Sequence, residues 1–227
     1  MTKPYYSHAG ITIYHGDCQD ILPCIADASI DMVFTDPPYL AEFIWTYGVL
    51  AEQARRVLVV GGVCYAYIGA QFAPDVIGLM RPHLTWFWLF NLHHGGANPR
   101  MWSKRLMVTS KPVVVWTNGP VNQSNLKWCA PDARPEGSSK DYHEWGQSEG
   151  FALSQIELRT KPGDVVLDPF MGGGTTLAAA CRMGREAIGI EIEEKYCAIA
   201  VKRLQQEVLP LTAPAPEPRQ GDMLEAG

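Results

Sequence analysis

The segment Val165-Val166-Leu167-Asp168-Pro169-Phe170-Met171-Gly172-Gly173-Gly174-Thr175-Thr176 constrains this chain more than any other. The apolar residues read as a strand, the glycines as a tight turn, and Thr175 to Arg182 as a helix. Glycine places no Cβ between the backbone and a bound molecule, so such a turn admits a ligand at the carboxyl end of a strand. An ordinary Gly-rich strand-to-helix turn is the plain alternative. The next strand, Ala187 to Ile190, weighs against it. It ends in Glu191, 19 residues past Gly172, where a doubly wound fold places the acid that accepts ribose hydroxyls. There is no GxGxxG run, so a nucleoside without phosphates fits better than a dinucleotide.

Strands and helices alternate along the rest of the chain. Ile11 to His15, Ile30 to Thr35, Val63 to Ile68, Leu84 to Phe90 and Val113 to Trp116 read as strands. Asp17 to Ile25, residues 40–57, Phe151 to Leu158 and Glu194 to Val208 read as helices, the second ending in a turn at Gly61-Gly62. This alternation implies a mainly parallel sheet covered on both faces. The pattern predicts one domain over residues 1–210, with an insertion around 91–142 and a disordered tail over 211–227, where Pro214, Pro216 and Pro218 cluster. At 227 residues and 47% hydrophobic, one α/β domain with an insertion accounts for the length. No run approaches the roughly 20 apolar residues needed to cross a bilayer, and residues 1–6 lack a charged-then-apolar leader pattern. Six cysteines without a CxxC pair read as buried free thiols in a reducing cytoplasm rather than disulfides or metal ligands.

Asp36-Pro37-Pro38-Tyr39 follows the strand Ile30 to Thr35, so it faces the same crevice as the glycine turn. A plain Asp-Pro-Pro turn is the bland reading; the chemistry of the four residues suggests more. An amino group on an aromatic base is a poor nucleophile, because its lone pair is delocalised into the ring. The Asp36 carboxylate and the Pro37 carbonyl together accept its two N–H bonds and localise that pair. Two prolines stiffen the acceptors, and Tyr39 supplies a stacking face for a base extruded from a duplex.

The two motifs together resemble the DNA amino-methyltransferases that act on adenine N6 or cytosine N4, in the permuted group where DPPY precedes the glycine motif. The resemblance covers most of the chain. It implies an α/β, Rossmann-like S-adenosylmethionine-dependent methyltransferase fold with a mixed, mostly parallel, seven-stranded, circularly permuted sheet. It implies S-adenosylmethionine as the methyl donor and double-stranded DNA as the partner, with adenine N6 favoured over cytosine N4 because the tetrapeptide begins with Asp rather than Ser. Gly16-Asp17-Cys18 matches the family's Gly-Asp-Cys after an early strand. The implied cofactor residues are Asp17 at the adenine, Asp168, Phe170, Gly172, Gly174 and Thr175 around the pocket, and Glu191 at the ribose. The implied catalytic residues are Asp36, Pro37, Pro38 and Tyr39, with no metal. His143-Glu144-Trp145-Gly146-Gln147-Ser148 departs from the family's usual His-Pro-Thr-Gln-Lys-Pro before the glycine motif.

The net charge of −5 suits a nucleic-acid partner only once it is mapped. Residues 81–140 hold eight Lys or Arg against two acids, while the rest of the chain holds 11 against 22. One basic face on an acidic protein is the expectation; a merely polar loop region is the alternative. Asn98, Arg100, Lys104, Arg105 and Lys127 are the candidate DNA contacts. The short insertion leaves room for a brief recognition element or for help from a second subunit in a homodimer. The Pro-Cys pair at Cys24 precedes the wrong strand for a 5-carbon cytosine chemistry and lacks a Glu-Asn-Val partner. Trp86 and Trp88 read as sheet packing, Trp102 and Trp128 as loop anchors or base contacts. An RNA or protein-amide methyltransferase, and a non-catalytic DNA-binding module, are the competing readings.

Overall fold

The computed structural model describes residues 3–93, 100–121, 129, 132–133 and 149–212. In chain order the strands are β1 (Tyr6–His8), β2 (Ile11–His15), β3 (Ile30–Thr35), β4 (Leu58–Tyr67), β5 (Thr85–His93), β6 (Arg100–Met101), β7 (Leu106–Met107), β8 (Ser110–Thr117), β9 (Asp132–Ala133), β10 (Val165–Asp168) and β11 (Glu186–Glu191). The α-helices are α1 (Cys18–Ile21), α2 (Thr46–Val57), α3 (Ala73–Met80), α4 (Glu149–Arg159), α5 (Thr175–Arg182) and α6 (Glu194–Thr212).

Nine strands form one sheet in the order β1-β2-β11-β10-β3-β4-β8-β5-β9, and β6 and β7 form a separate hairpin. The centre is parallel from β2 through β4; β1, β8 and β5 pair antiparallel to their inner neighbours. The sheet thus exceeds the expected seven strands by β1 and β9, short edge pieces of three and two residues that carry too little pattern to read. The late strand β10 sits between the early β3 and the late β11, so the two ends of the chain meet at the centre of the sheet.

Side-chain alternation along the strands builds two cores. Met32, Phe34, Tyr65, Tyr67, Val113, Val115 and Val166 point to one face, beneath Phe151 and Ile156 of α4, Leu177 of α5 and Leu204 of α6. Val33, Cys64, Ala66, Val114, Trp116 and Leu167 point to the other, beneath Ile21 of α1, Leu50 and Ala54 of α2 and Met80 of α3. Period-2 burial on both faces is what a parallel sheet between helical layers requires.

Several expectations are corrected. Gly61-Gly62 is no turn between elements. It lies inside β4, where the register against β3 jumps from Ile30↔Leu58 to Met32↔Val63. Gly61 takes φ +83° there, and its N–H donates to the Asn118 carbonyl at 2.8 Å. Helix 40–57 splits into a 3-10 turn at Ala41–Phe43 and α2. Trp86 packs edge-on against Trp116 of β8, ring centroids 5.0 Å apart, yet stays 43% exposed, and Trp88, beyond a register shift in β5, is 50% exposed, so neither is the buried sheet residue expected. Cys64, Cys181 and Cys197 are buried thiols, but Cys24 is exposed. The last helix runs to Thr212, past the expected end at Val208. Among the described residues, no helix is long and apolar enough to cross a membrane.

Candidate active site

From β10 the chain passes through α5 to β11 on one side of the sheet; from β3 it passes through α2 to β4 on the other. Strand order therefore reverses between β10 and β3. The carboxyl ends at such a reversal splay apart into the crevice where open α/β sheets hold ligands. Both sequence motifs begin there. Asp168 ends β10 and Asp36 follows Thr35, the last residue of β3, with Leu167 and Val33 in register.

One hydrogen bond ties the motifs together. Thr35 Oγ1 donates to Asp168 Oδ1 at 2.7 Å, and the Phe170 N–H donates to the same oxygen at 3.1 Å. Asp168 is 1% exposed. Burial pushes its carboxyl up to about 7, opposed by the hydrogen bonds from Thr35, Thr176 and Phe170 and assisted by the nearby Asp36 charge. Asp168 thus shapes the first bend of the glycine turn and links it to β3.

The turn itself is closed from both ends. Gly172 and Gly174 take φ +50° and +77°, the left-handed region that a side chain resists. A Cβ at Gly174 would meet the Ala200 Cβ at 2.8 Å, so this glycine also lets α6 pack against the start of α5. Arg203 of α6 donates to Thr175 Oγ1 at 3.0 Å and to Glu149 of α4 at 2.9 Å, fastening three helices at the same point. The 19-residue spacing becomes a contact, with the Gly172 N–H donating to Glu191 Oε2 at 2.9 Å and the Glu193 N–H to Oε1 at 2.8 Å. Each carboxylate oxygen has a further lone pair to offer. Gly16, just ahead of Asp17, donates its N–H to the Glu191 carbonyl at 2.9 Å. Asp17 caps α1 through the Gln19 N–H at 2.8 Å. Asp17, Phe170, Gly172, Thr175 and Glu191 are all half-buried, as a rim requires.

On the β3 side, Pro37 is buried, Pro38 is exposed, and Asp36 and Tyr39 are half-buried. Reading the sequence did not single out a neighbour of this tetrapeptide. Lys111 of β8 places Nζ 2.7 Å from Asp36 Oδ2, 4.7 Å from the Tyr39 ring centroid and 4.5 Å from the Tyr67 ring centroid. β8 runs antiparallel to β4, which brings its first residues to the carboxyl edge of the parallel strands. A contact across 75 residues leaves no local signal; only the strand pairing reveals it.

The candidate DNA residues divide. Arg100, Lys104 and Arg105 are exposed on the β6–β7 hairpin, with the Arg100 guanidinium 5.6 Å over the ring of Trp102, itself 68% exposed. The hairpin's last residue, Met107, comes four residues before Lys111, so the end of the hairpin lies within roughly 13 Å of Lys111 at about 3.3 Å per residue. Asn98, Lys127 and residues 143–148 lie outside the described residues.

Comparison with known proteins bears on the family and the fold. A family model described as DNA methylase matches residues 109–202. The type II methyltransferase M.HinfI of Haemophilus influenzae is 28% identical over 86% of this chain and 68% of its own length. The type II methyltransferase M2.DpnII of Streptococcus pneumoniae is 28% identical over 91% and 94%. Among solved structures, the cytosine-N4-specific PvuII DNA methyltransferase superposes with a TM-score of 0.76 at 19% identity, covering 89% of each chain. A complex of M1.HpyAVI with SAM superposes with a TM-score of 0.70 at 24% identity, over 86% and 98%. The fold is the Rossmann-like methyltransferase fold.

Proposed function

We propose that this chain, which is similar to type II DNA methyltransferases and matches a DNA methylase family model, moves a methyl group from S-adenosylmethionine to the exocyclic amino group of a flipped DNA base, adenine N6 in preference to cytosine N4. The observation that carries this reading is the Thr35–Asp168 hydrogen bond. It ties the Asp-Pro-Pro-Tyr tetrapeptide and the glycine turn to neighbouring strand ends.

The residues present fit the cofactor. The Gly172–Gly174 turn offers backbone without Cβ atoms, Glu191 keeps acceptor capacity for ribose hydroxyls, and Asp17 stands beside Glu191 where an adenine edge would lie. When bound, S-adenosylmethionine supplies a methyl on a positively charged sulfur, which needs only a nucleophile in line. Asp36 and the Pro37 carbonyl accept the amino N–H bonds and turn the nitrogen lone pair toward that methyl; the C–N bond would form as the S–C bond breaks, its electron pair staying on the sulfur, and the nitrogen would shed its surplus proton to solvent. Tyr39 stacks on the extruded base, which holds the nitrogen in place. The acceptors are set before the base arrives, because the prolines fix the backbone.

Arg100, Lys104 and Arg105 serve the duplex backbone at the rim, and Asn98 and Lys127 belong to the same proposal. Preference for adenine rests on the Asp in the tetrapeptide. Mass spectrometry of nucleosides from unmethylated DNA incubated with the protein and S-adenosylmethionine tests the reading. N6-methyladenine is expected; N4-methylcytosine would move the assignment to the other base, and no modified nucleoside would defeat it.

A further inference from the structure

Lys111 lies where the proposed reaction puts something else. Its ammonium is 2.7 Å from Asp36 Oδ2, the carboxylate assigned to the target amine, and 4.7 Å over the Tyr39 ring, the face assigned to the target base. Tyr67 adds a second ring, its centroid 4.5 Å from the same nitrogen. Tyr67 is 1% exposed, and Tyr47 Oη donates to its carbonyl at 2.7 Å, so this ring does not give way. The Lys111 and Asp36 side chains retain 24% and 14% exposure, so solvent reaches the pair and it is not sealed in the core.

A protonated amine on a flexible stem is a close chemical stand-in for the exocyclic amine of a base. Both offer N–H donors to a carboxylate, and both sit against an aromatic ring. The two cannot share the space. A base stacked on Tyr39 with its amine on Asp36 needs the volume that the ammonium fills, and four methylenes let Lys111 withdraw without moving β8.

We propose that Lys111 is a displaceable occupant of the target-amine position, so that base entry exchanges one N–H donor for another on Asp36. In the base-free site the lysine keeps the carboxylate and the Tyr39 ring in their receiving arrangement. It also makes an incoming base compete for them. Lys111 is a positioning residue in this scheme, and the scheme rests on the methyltransferase reading above.

The test is steady-state methylation of unmethylated plasmid DNA with tritiated S-adenosylmethionine, comparing wild type with Lys111→Met and Lys111→Arg. Removing a cation from a DNA-binding protein ordinarily raises the KM for DNA. Here Lys111→Met is expected to lower it, about three- to tenfold, because one partly exposed ion pair and its ring contacts no longer have to be broken. kcat should move less than KM. Lys111→Arg retains the pair and should keep KM near wild type. Lys111→Gln keeps an N–H donor without the charge and replaces Lys111→Met should the latter fail to fold, with the same direction expected. An unchanged or raised KM in the neutral variant overturns the proposal, as does a loss confined to kcat. Wild-type activity with an unmoved KM would sink the exchange and leave the methyltransferase standing, whereas an inactive wild type would sink both.

Discussion

Thr35 Oγ1 donates to Asp168 Oδ1 at 2.7 Å, joining the ends of two neighbouring parallel strands that lie 133 residues apart in the chain. The acceptor is buried, and the same oxygen holds the Phe170 N–H. A single hydroxyl therefore couples the position of Asp-Pro-Pro-Tyr to the shape of the glycine turn.

Thr35→Val removes that donor at constant shape and leaves a buried carboxyl short of a partner. A loss of about 1–3 kcal/mol in unfolding free energy is expected. Affinity for S-adenosylmethionine should fall as well, because the first bend of the turn loses its brace. Urea unfolding and calorimetric titration of the cofactor measure the two effects separately.

Asp168 also gives stability a signed pH dependence. Its carboxyl is raised by burial from 3.8 to about 7, so the folded state holds a proton that the unfolded state releases. Its contribution is present in full below about pH 4 and is lost as pH rises through about 7. Asp168→Asn keeps an acceptor for Thr35 and Phe170 without titrating. The stability of wild type relative to Asp168→Asn should fall from about pH 4 to about 7 and then level off, as read by denaturant midpoints. A difference that is flat across that range would contradict the assignment.

Gly174→Ala places a methyl 2.8 Å from the Ala200 Cβ at a residue with φ +77°. The strain should cost about 1–3 kcal/mol and weaken cofactor binding. Adding Ala200→Gly relieves the clash but not the backbone, so a partial recovery is expected in thermal melts of the double variant.

Arg100, Lys104 and Arg105 stand exposed on one hairpin. Replacing all three with Ala should lower DNA affinity without altering cofactor affinity. The slope of log affinity against log salt should become shallower by up to about 2.7, at about 0.9 for each phosphate that is no longer neutralised. Fluorescence anisotropy over a salt series provides the reading.

Local pattern carried much of this architecture. Thr175 to Arg182 is the helix that the sequence predicts, because a glycine turn and an apolar face mark both its start and its buried side. Glu191 meets Gly172 because its spacing is set by one βαβ unit. What escaped depends on distant partners. Lys111 reads as one basic residue among eight until β8 is paired with β4. Asp168 resembles a rim acid until Thr35 and Phe170 are seen to occupy it. The helix α3 hides behind Pro74 and Gly78, and the β6–β7 hairpin behind a turn at Arg105 with φ +54°. Trp86 and Trp88 alternate like core residues, yet both stay half-exposed, Trp86 even with its ring against Trp116.

Asp36→Ala separates cofactor binding from methyl transfer, and measuring both in that variant probes the division of labour between the two strand ends. Calorimetry should give S-adenosylmethionine affinity within a few-fold of wild type, because the glycine turn and Glu191 are untouched. Incorporation of labelled methyl into DNA should fall to background. Methylation that persists in this variant, or cofactor binding that disappears with it, would contradict that division.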